Sequence, residues 1–210
     1  MRSSGLAVIA AALIGCAADP IDPSIEAQEA PLRQPSLEAR VQRLADLQEL
    51  RGLLDCYGTG HDLIFKDLGG AHREALEVLR RCHVEDLVTN VFLFDESTPV
   101  QRLASLPALV GFIDAFAQQN GYSSARNVPG NVRIELVDAT TARIASSTAA
   151  PHFLTRGPAA TSDRPTLDLV EARYLDTARR GRDGTWRVVA RDLVVQQIWR
   201  GEGAYPFASP

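Results

Sequence analysis

Apolar residues recur at helical spacing from position 37 onward. Leu37, Val41, Leu44, Leu47, Leu50, Leu54 and Tyr57 follow one another every three or four residues, which places them on one stripe of an α-helix. Ser36 stands where a cap is needed, and Glu38 lies in the first turn, where the helix dipole favours an acid. Gly58 and Gly60 mark the expected weak end. A second helix is expected over Ala71 to Arg81, with Ala75, Leu76, Leu79 and Cys82 inward. A third is expected around Pro107 to Gln118, presenting Leu109, Phe112, Ile113 and Phe116. Between these two, Leu87 to Phe94 reads as a buried strand. After Gly121 the period drops to two: Val132, Ile134 and Leu136 alternate with polar neighbours. A turn at Asp138 leads into a small-residue strand, Ala142 to Ala150, and His152 to Pro165 reads as a Gly/Pro loop. A long strand from Leu167 to Ala178 turns through Arg180-Gly181-Arg182-Asp183-Gly184 onto a last strand, Trp186 to Trp199. Helices first and hairpin-linked strands afterwards predict an α+β fold, not a parallel α/β sheet.

Residues 1–35 lack this patterning. The apolar run Leu6 to Ile14 is too short to cross a bilayer, which takes about 20 residues. It ends in Leu13-Ile14-Gly15-Cys16, which resembles a bacterial lipoprotein signal, in which the cysteine is lipidated and becomes the mature N-terminus. A plain secretory signal cut after a small residue is the other reading. Two or more acyl chains, at about 0.8 kcal/mol per buried CH₂, make such an anchor stable. Ala17, where an Asp would redirect sorting, points to the periplasmic face of the outer membrane. Ala17 to Pro35, rich in Pro, Asp, Glu and Ala, reads as a flexible spacer. The expected organisation is a signal peptide over 1–15, lipidated Cys16 and linker over 16–35, one globular domain over 36–202, and a tail over 203–210.

Composition adds three constraints. Removing the signal leaves 195 of 210 residues and takes away only Arg2, so the formal net charge moves from −4 to −5. A mildly acidic chain gives no basis for binding nucleic acid or an anionic membrane surface, and the expected membrane link is the lipid alone. Lys66 is the only lysine, and the densest basic cluster, Arg179-Arg180-Gly181-Arg182, reads as a solvated hairpin tip. Three cysteines are an odd number, and lipidation of Cys16 leaves Cys56 and Cys82 to be explained. They are either a disulfide between the first two helices, worth about 3 kcal/mol, or two buried thiols.

Five stretches in order resemble a known family. They are Leu50 to Asp62 with Tyr57 five residues before Asp62, Cys82-His83-Val84-Glu85-Asp86, and Asn131-Val132-Arg133-Ile134-Glu135-Leu136. Arg173-Tyr174-Leu175-Asp176 and Asp183-Gly184-Thr185-Trp186-Arg187-Val188 with Arg191 complete the set. Together, over about Leu37 to Arg200, they resemble the SnoaL-like domain of the nuclear transport factor 2-like superfamily. The resemblance implies a cone-shaped roll. In it, a long N-terminal helix and two shorter helices pack on a curved, mostly antiparallel sheet around an apolar cavity. It also implies steroid isomerisation, polyketide ring closure, dehydration or epoxide opening, or else binding or dimerisation without catalysis; the fold alone does not choose.

Candidate chemistry follows from that cavity. A carboxylate on an apolar wall loses hydration and becomes a useful proton acceptor. Asp62 is the candidate base and Tyr57 the candidate hydrogen-bond donor to a developing enolate oxygen. The structural alternatives are a helix-end carboxylate paired with an Arg, and a core aromatic. Many relatives carry a histidine four residues before the strand-opening Asn131, whereas this chain has Asn127, preceded by Arg126. An amide orients a ligand but shuttles no proton at neutral pH, and Arg126 suits an anionic group. Tyr174 and His152 are further candidate ligand contacts; a surface loop is the simpler reading of His152. His61 is expected off the face of Asp62, because helix neighbours point about 100° apart. His72 and His83 read as exposed or helix-end residues. The chain has no metal-ligand spacing, phosphate loop or dinucleotide fingerprint, so no cofactor is expected. The expected partners are a hydrophobic small molecule and a second copy paired through the outer sheet face, where Val194, Val195 and Ile198 would suit contact.

Overall fold

The structure, a computed structural model, describes residues 34–94, 96–154 and 167–201. The signal, Cys16, the spacer, most of the expected loop before Pro165 and the tail lie outside the described residues. The described helices and strands all belong to one compact unit that begins at Leu37. No described helix is long and apolar enough to cross a membrane.

Helix α1 (Leu37–Ile64) is followed by α2 (Arg73–Leu79), strands β1 (His83–Leu93) and β2 (Gln101–Leu103), and α3 (Leu106–Asn120). Strands β3 (Tyr122–Ala125), β4 (Pro129–Leu136), β5 (Thr141–Leu154), β6 (Leu167–Arg180) and β7 (Trp186–Gly201) complete the fold. The sheet runs β2-β1-β7-β6-β5-β3, with β4 also on β5, and every pairing is antiparallel except β1 with β7. This is the α+β roll expected, with the helices on its concave face around one apolar core. Ser105 caps α3 by accepting from the Ala108 N–H, and Gly121 ends it in the left-handed region at φ 70°.

Helix α1 departs from expectation at both ends. Leu37, Val41 and Leu44 are 73%, 57% and 67% exposed, because the sheet meets the helix only from Asp46 onward. Asp46 is buried and paired with Arg180, whose guanidinium lies 4.8 Å over the Trp186 ring. The basic hairpin tip is therefore anchored to the helix through Arg180 and is not wholly solvated. At the other end the helix runs through Gly58 and Gly60 to Ile64. A Cβ on Gly58 would stand 2.5 Å from the Asn127 carbonyl oxygen, and one on Gly60 would stand 2.5 Å from the Leu79 side chain. These glycines allow close packing of neighbours; they do not end the helix. A disulfide joins Cys56 on α1 to Cys82 after α2, with Cα atoms 6.3 Å apart.

Two bulges set the faces of β7. Thr177 pairs with Ala190 while Ala178 pairs with Val188, and Glu171 pairs with Gln197 while Ala172 pairs with Val195. Val189 and Gln196 are thus extra residues, each of which bends the strand and switches its alternation. The inward set runs Trp186 and Val188, then Arg191, Leu193 and Val195, then Ile198. Val195 and Ile198 consequently line the interior, correcting their expected place on the outer face.

Strand β5 carries two partners on one edge: β4 along Ala142–Thr148 and β3 along His152–Leu154. Between them, the Pro151 carbonyl accepts from the Arg126 N–H at 3.1 Å, but Pro151 has no N–H to return. Pairing lapses there, and residues 126–128 form a gap that becomes part of the site.

We expect Gly58→Ala to destabilise the fold by about 1–3 kcal/mol, since it must displace backbone. Gly52→Ala on the same helix, with nothing within 4 Å of its Cβ, should be neutral or stabilising by up to about 1 kcal/mol. Urea unfolding of the two variants compares them directly.

Candidate functional site

Inside the roll, α1, α3 and strands β5 to β7 enclose a cavity of about 100 Å³. Phe112, Ile113 and Phe116 come from α3, Val170 and Ala172 from β6, and Leu193, Val195 and Ile198 from β7. Its polar groups are Tyr57, His61, Asn127, Thr148, His152 and Tyr174. No carboxylate, lysine or arginine is among the described lining residues. Asp62 and Arg126 line instead an outer groove of about 830 Å³ between α1 and the β3–β4 gap. Of the residues expected at the site, Tyr57, Asn127, His152 and Tyr174 face the cavity, whereas Asp62 and Arg126 lie behind its wall.

Beneath the tyrosines lies a buried ion pair. Arg191 Nε donates to Asp176 Oδ1 at 2.7 Å and Nη2 donates to Oδ2 at 2.8 Å, both side chains being fully shielded from solvent. Strand register requires this, because Asp176 and Arg191 are cross-strand partners and both point inward. The guanidinium lies 3.8 Å from the Tyr57 ring centre and 4.8 Å from that of Tyr174. Burial disfavours the charge on Arg191, but Asp176 outweighs it and raises the Arg191 pKa. Burial raises the pKa of Tyr57, with Arg191 opposing it, and raises that of Tyr174 well above the ordinary value. Both phenols are therefore held as neutral hydroxyls.

Asn127 forms the wall between cavity and groove. Its side-chain Nδ2 donates to the Tyr174 hydroxyl at 2.7 Å, while its backbone N–H donates to Asp62 Oδ1 at 3.0 Å. Arg126 reaches Asp62 Oδ2 at 3.5 Å from a largely exposed position, where an ion pair contributes about 1 kcal/mol or less. Asn127 Oδ1 is buried and has no partner among the described residues.

The histidines are placed differently from expectation. His152 belongs to β5, not to a surface loop: the inward alternation Ala142, Ile144, Ser146, Thr148, Ala150 simply continues one step further. Its Nδ1 lies 2.9 Å from the Ala150 carbonyl, so Nδ1 carries the proton. Burial, partly offset by that bond, pushes its pKa down to about 4. His61 also lines the cavity, one helical turn beyond Tyr57. The spacing of four from Tyr57 was the available signal, and the 100° rule separates His61 from Asp62 as expected. His61 Nδ1 still lies 3.6 Å from Asp62 Oδ1, in contact but beyond hydrogen-bond length. His72 and His83 are buried, not exposed, and His72 stands at the N-terminal end of α2, as the helix-end alternative expects. His83 lies edge-on to Tyr57, and burial, with Arg191 nearby, pushes its pKa down to about 3. Among the described residues no group of three His, Cys, Asp or Glu side chains could hold a metal.

Residues 42–192 match the SnoaL-like domain family over well more than half the chain. The chain belongs to that family. This SnoaL-like domain is also similar in fold to solved structures. The hexachlorocyclohexane dehydrochlorinase of Novosphingobium barchaimii is 17% identical, covering 81% of this chain and 99% of that one, with a TM-score of 0.58. A Novosphingobium aromaticivorans protein, provisionally named a scytalone dehydratase, is 18% identical over 81% of this chain and 99% of its own, with a TM-score of 0.55. The Kfla4162 protein of Kribbella flavida is 21% identical over 75% and 95%, with a TM-score of 0.55. At such identities the likeness concerns the fold alone. Among curated proteins, none matches this SnoaL-like chain.

His83 and His152 predict an acid-sensitive fold. Both are neutral when folded, while the unfolded chain protonates them below about pH 6.5. Stability should be complete above that value and fall with pH towards about 4 for His152 and about 3 for His83. Each histidine contributes up to about 1.4 kcal/mol per pH unit in its window. Urea midpoints measured between neutral and acidic pH check this, and His83→Leu should flatten the slope.

Proposed function

We propose that this domain is a receptor for a compact, mostly apolar and uncharged small molecule held inside the roll. One observation carries the reading: a cavity with apolar walls and a few neutral polar groups has no permanent charge among its described lining. A charged guest would lose its hydration there without compensation. The cavity, at about 100 Å³, lies below the roughly 300–1,000 Å³ of drug-sized sites, so the guest is a single ring or its equivalent. Asp62 acts from outside, fixing the wall through the Asn127 N–H.

The second reading is cofactor-independent isomerase, cyclase or dehydratase chemistry in which His61 replaces Asp62 as the base, because Asp62 lies in the outer groove. It is favoured by His61, which faces the cavity with Nδ1 3.6 Å from Asp62 Oδ1. His61 would take the proton from the guest and Asp62 would steady the resulting imidazolium. Asp62→Asn separates the two. The receptor reading expects guest affinity within about threefold of wild type, since Asn127 keeps an acceptor. The catalytic reading expects turnover to fall about 100-fold or more.

Denaturing extraction of the purified full-length chain, followed by mass spectrometry, should release one neutral guest in near-stoichiometric amount. An empty protein whose melting temperature no small apolar probe raises would end the receptor reading.

The supporting reading for location is a lipid on Cys16, which holds the domain on the periplasmic face of the outer membrane of a bacterial envelope. Pairing of two copies through the outer sheet face is part of the same proposal. Mass spectrometry of the membrane fraction should find acylated Cys16 as the N-terminal residue; a free thiol on a secreted form would reject the anchor.

A further inference from the structure

His152 gives the cavity a direction. Its Nδ1–H is committed to the carbonyl of Ala150, on its own strand. A neutral imidazole with Nδ1 protonated has Nε2 as a lone-pair acceptor. Nothing among the described residues hydrogen-bonds that nitrogen. Around the imidazole stand aromatic rings: Tyr122 at 4.8 Å, Phe65 at 5.5 Å, and Phe116 at 6.0 Å, perpendicular to it. Asn127 Oδ1, on the same cavity, is a buried acceptor without a partner among the described residues. Acceptors left over in an apolar, ring-lined space call for a guest that donates.

We infer that the cavity selects a neutral, phenol-sized ring whose hydroxyl donates to His152 Nε2. The inference rests on the receptor reading above and adds the chemical class of the guest. Size sets an upper bound of one ring: a dry engineered cavity of roughly 150 Å³ takes benzene, and this one, at about 100 Å³, is smaller and admits no second ring. The π-faces and edges of Phe116, Tyr57 and Tyr174 suit an aromatic body. A carboxylate in place of the hydroxyl is excluded, because the described lining holds no cation and Arg191, paired with Asp176, is sealed beneath the tyrosines. The burial that keeps His152 unprotonated at neutral pH leaves Nε2 free to accept.

The test is calorimetric titration of the full-length chain, cleared of any guest, with phenol, toluene and benzoate. Phenol should bind about three- to tenfold more tightly than toluene, the range of one neutral hydrogen bond, and benzoate should bind more weakly than either. In His152→Phe the preference for phenol over toluene should vanish while toluene still binds. In His152→Gln, which keeps an acceptor, a preference should persist. Equal binding of phenol and toluene to the wild type overturns the inference, as does benzoate matching phenol or a preference that survives in His152→Phe. Binding of none of the three probes overturns the receptor reading itself.

Discussion

The buried pair of Arg191 and Asp176 is the constraint on which the interior depends. An unpaired ion at that depth would cost on the order of 3–5 kcal/mol, so each side chain holds the other in place. Because the two residues are cross-strand partners on β6 and β7, the pair also fixes the register of the longest hairpin. Tyr57 and Tyr174 lie across the guanidinium and orient their hydroxyls, and Tyr174 in turn receives Asn127. A charged base thus supports an uncharged cavity. The ion pair contributes geometry to the site, while the described lining of the cavity is neutral.

Irregularities in the sheet create the hollow. A regular β7 would keep Arg191 and Trp186 on opposite faces, since five residues separate them. The bulge at Val189 brings both inward, and that at Gln196 does the same for Ile198. Pro151 interrupts the opposite edge and frees the backbone N–H of Asn127 for Asp62. Curvature, cavity and wall therefore come from three local breaks in an otherwise continuous ladder.

Much of this was legible in the residues. Period-three-to-four and period-two patterning marked every long element, and five short stretches identified the family. The errors have physical causes. Gly58 and Gly60 break helices by intrinsic propensity, yet here the contacts of Asn127 and Leu79 require their lack of a side chain. His152 opens a Gly/Pro-rich stretch that suggests a loop, although alternation from Ala142 already places it inward. Val195 and Ile198 are expected on the outer face and stand inside, because a bulge leaves no mark in the pattern of one strand. The residues alone make Asp62 the candidate and set its neighbour His61 aside. Which of them faces the cavity depends on the rotation of α1, whose Tyr57 rests on Arg191.

Asn127 has a consequence beyond its own contacts. At this point the partition between groove and inner cavity is a single residue thick, its main chain tied to an acid outside and its amide tied to a phenol within. Anything that draws Asp62 away from that N–H, such as a cation settling in the groove, would pull on the same residue that steadies Tyr174. Chemistry outside the chamber can therefore alter its lining without any molecule passing through the wall.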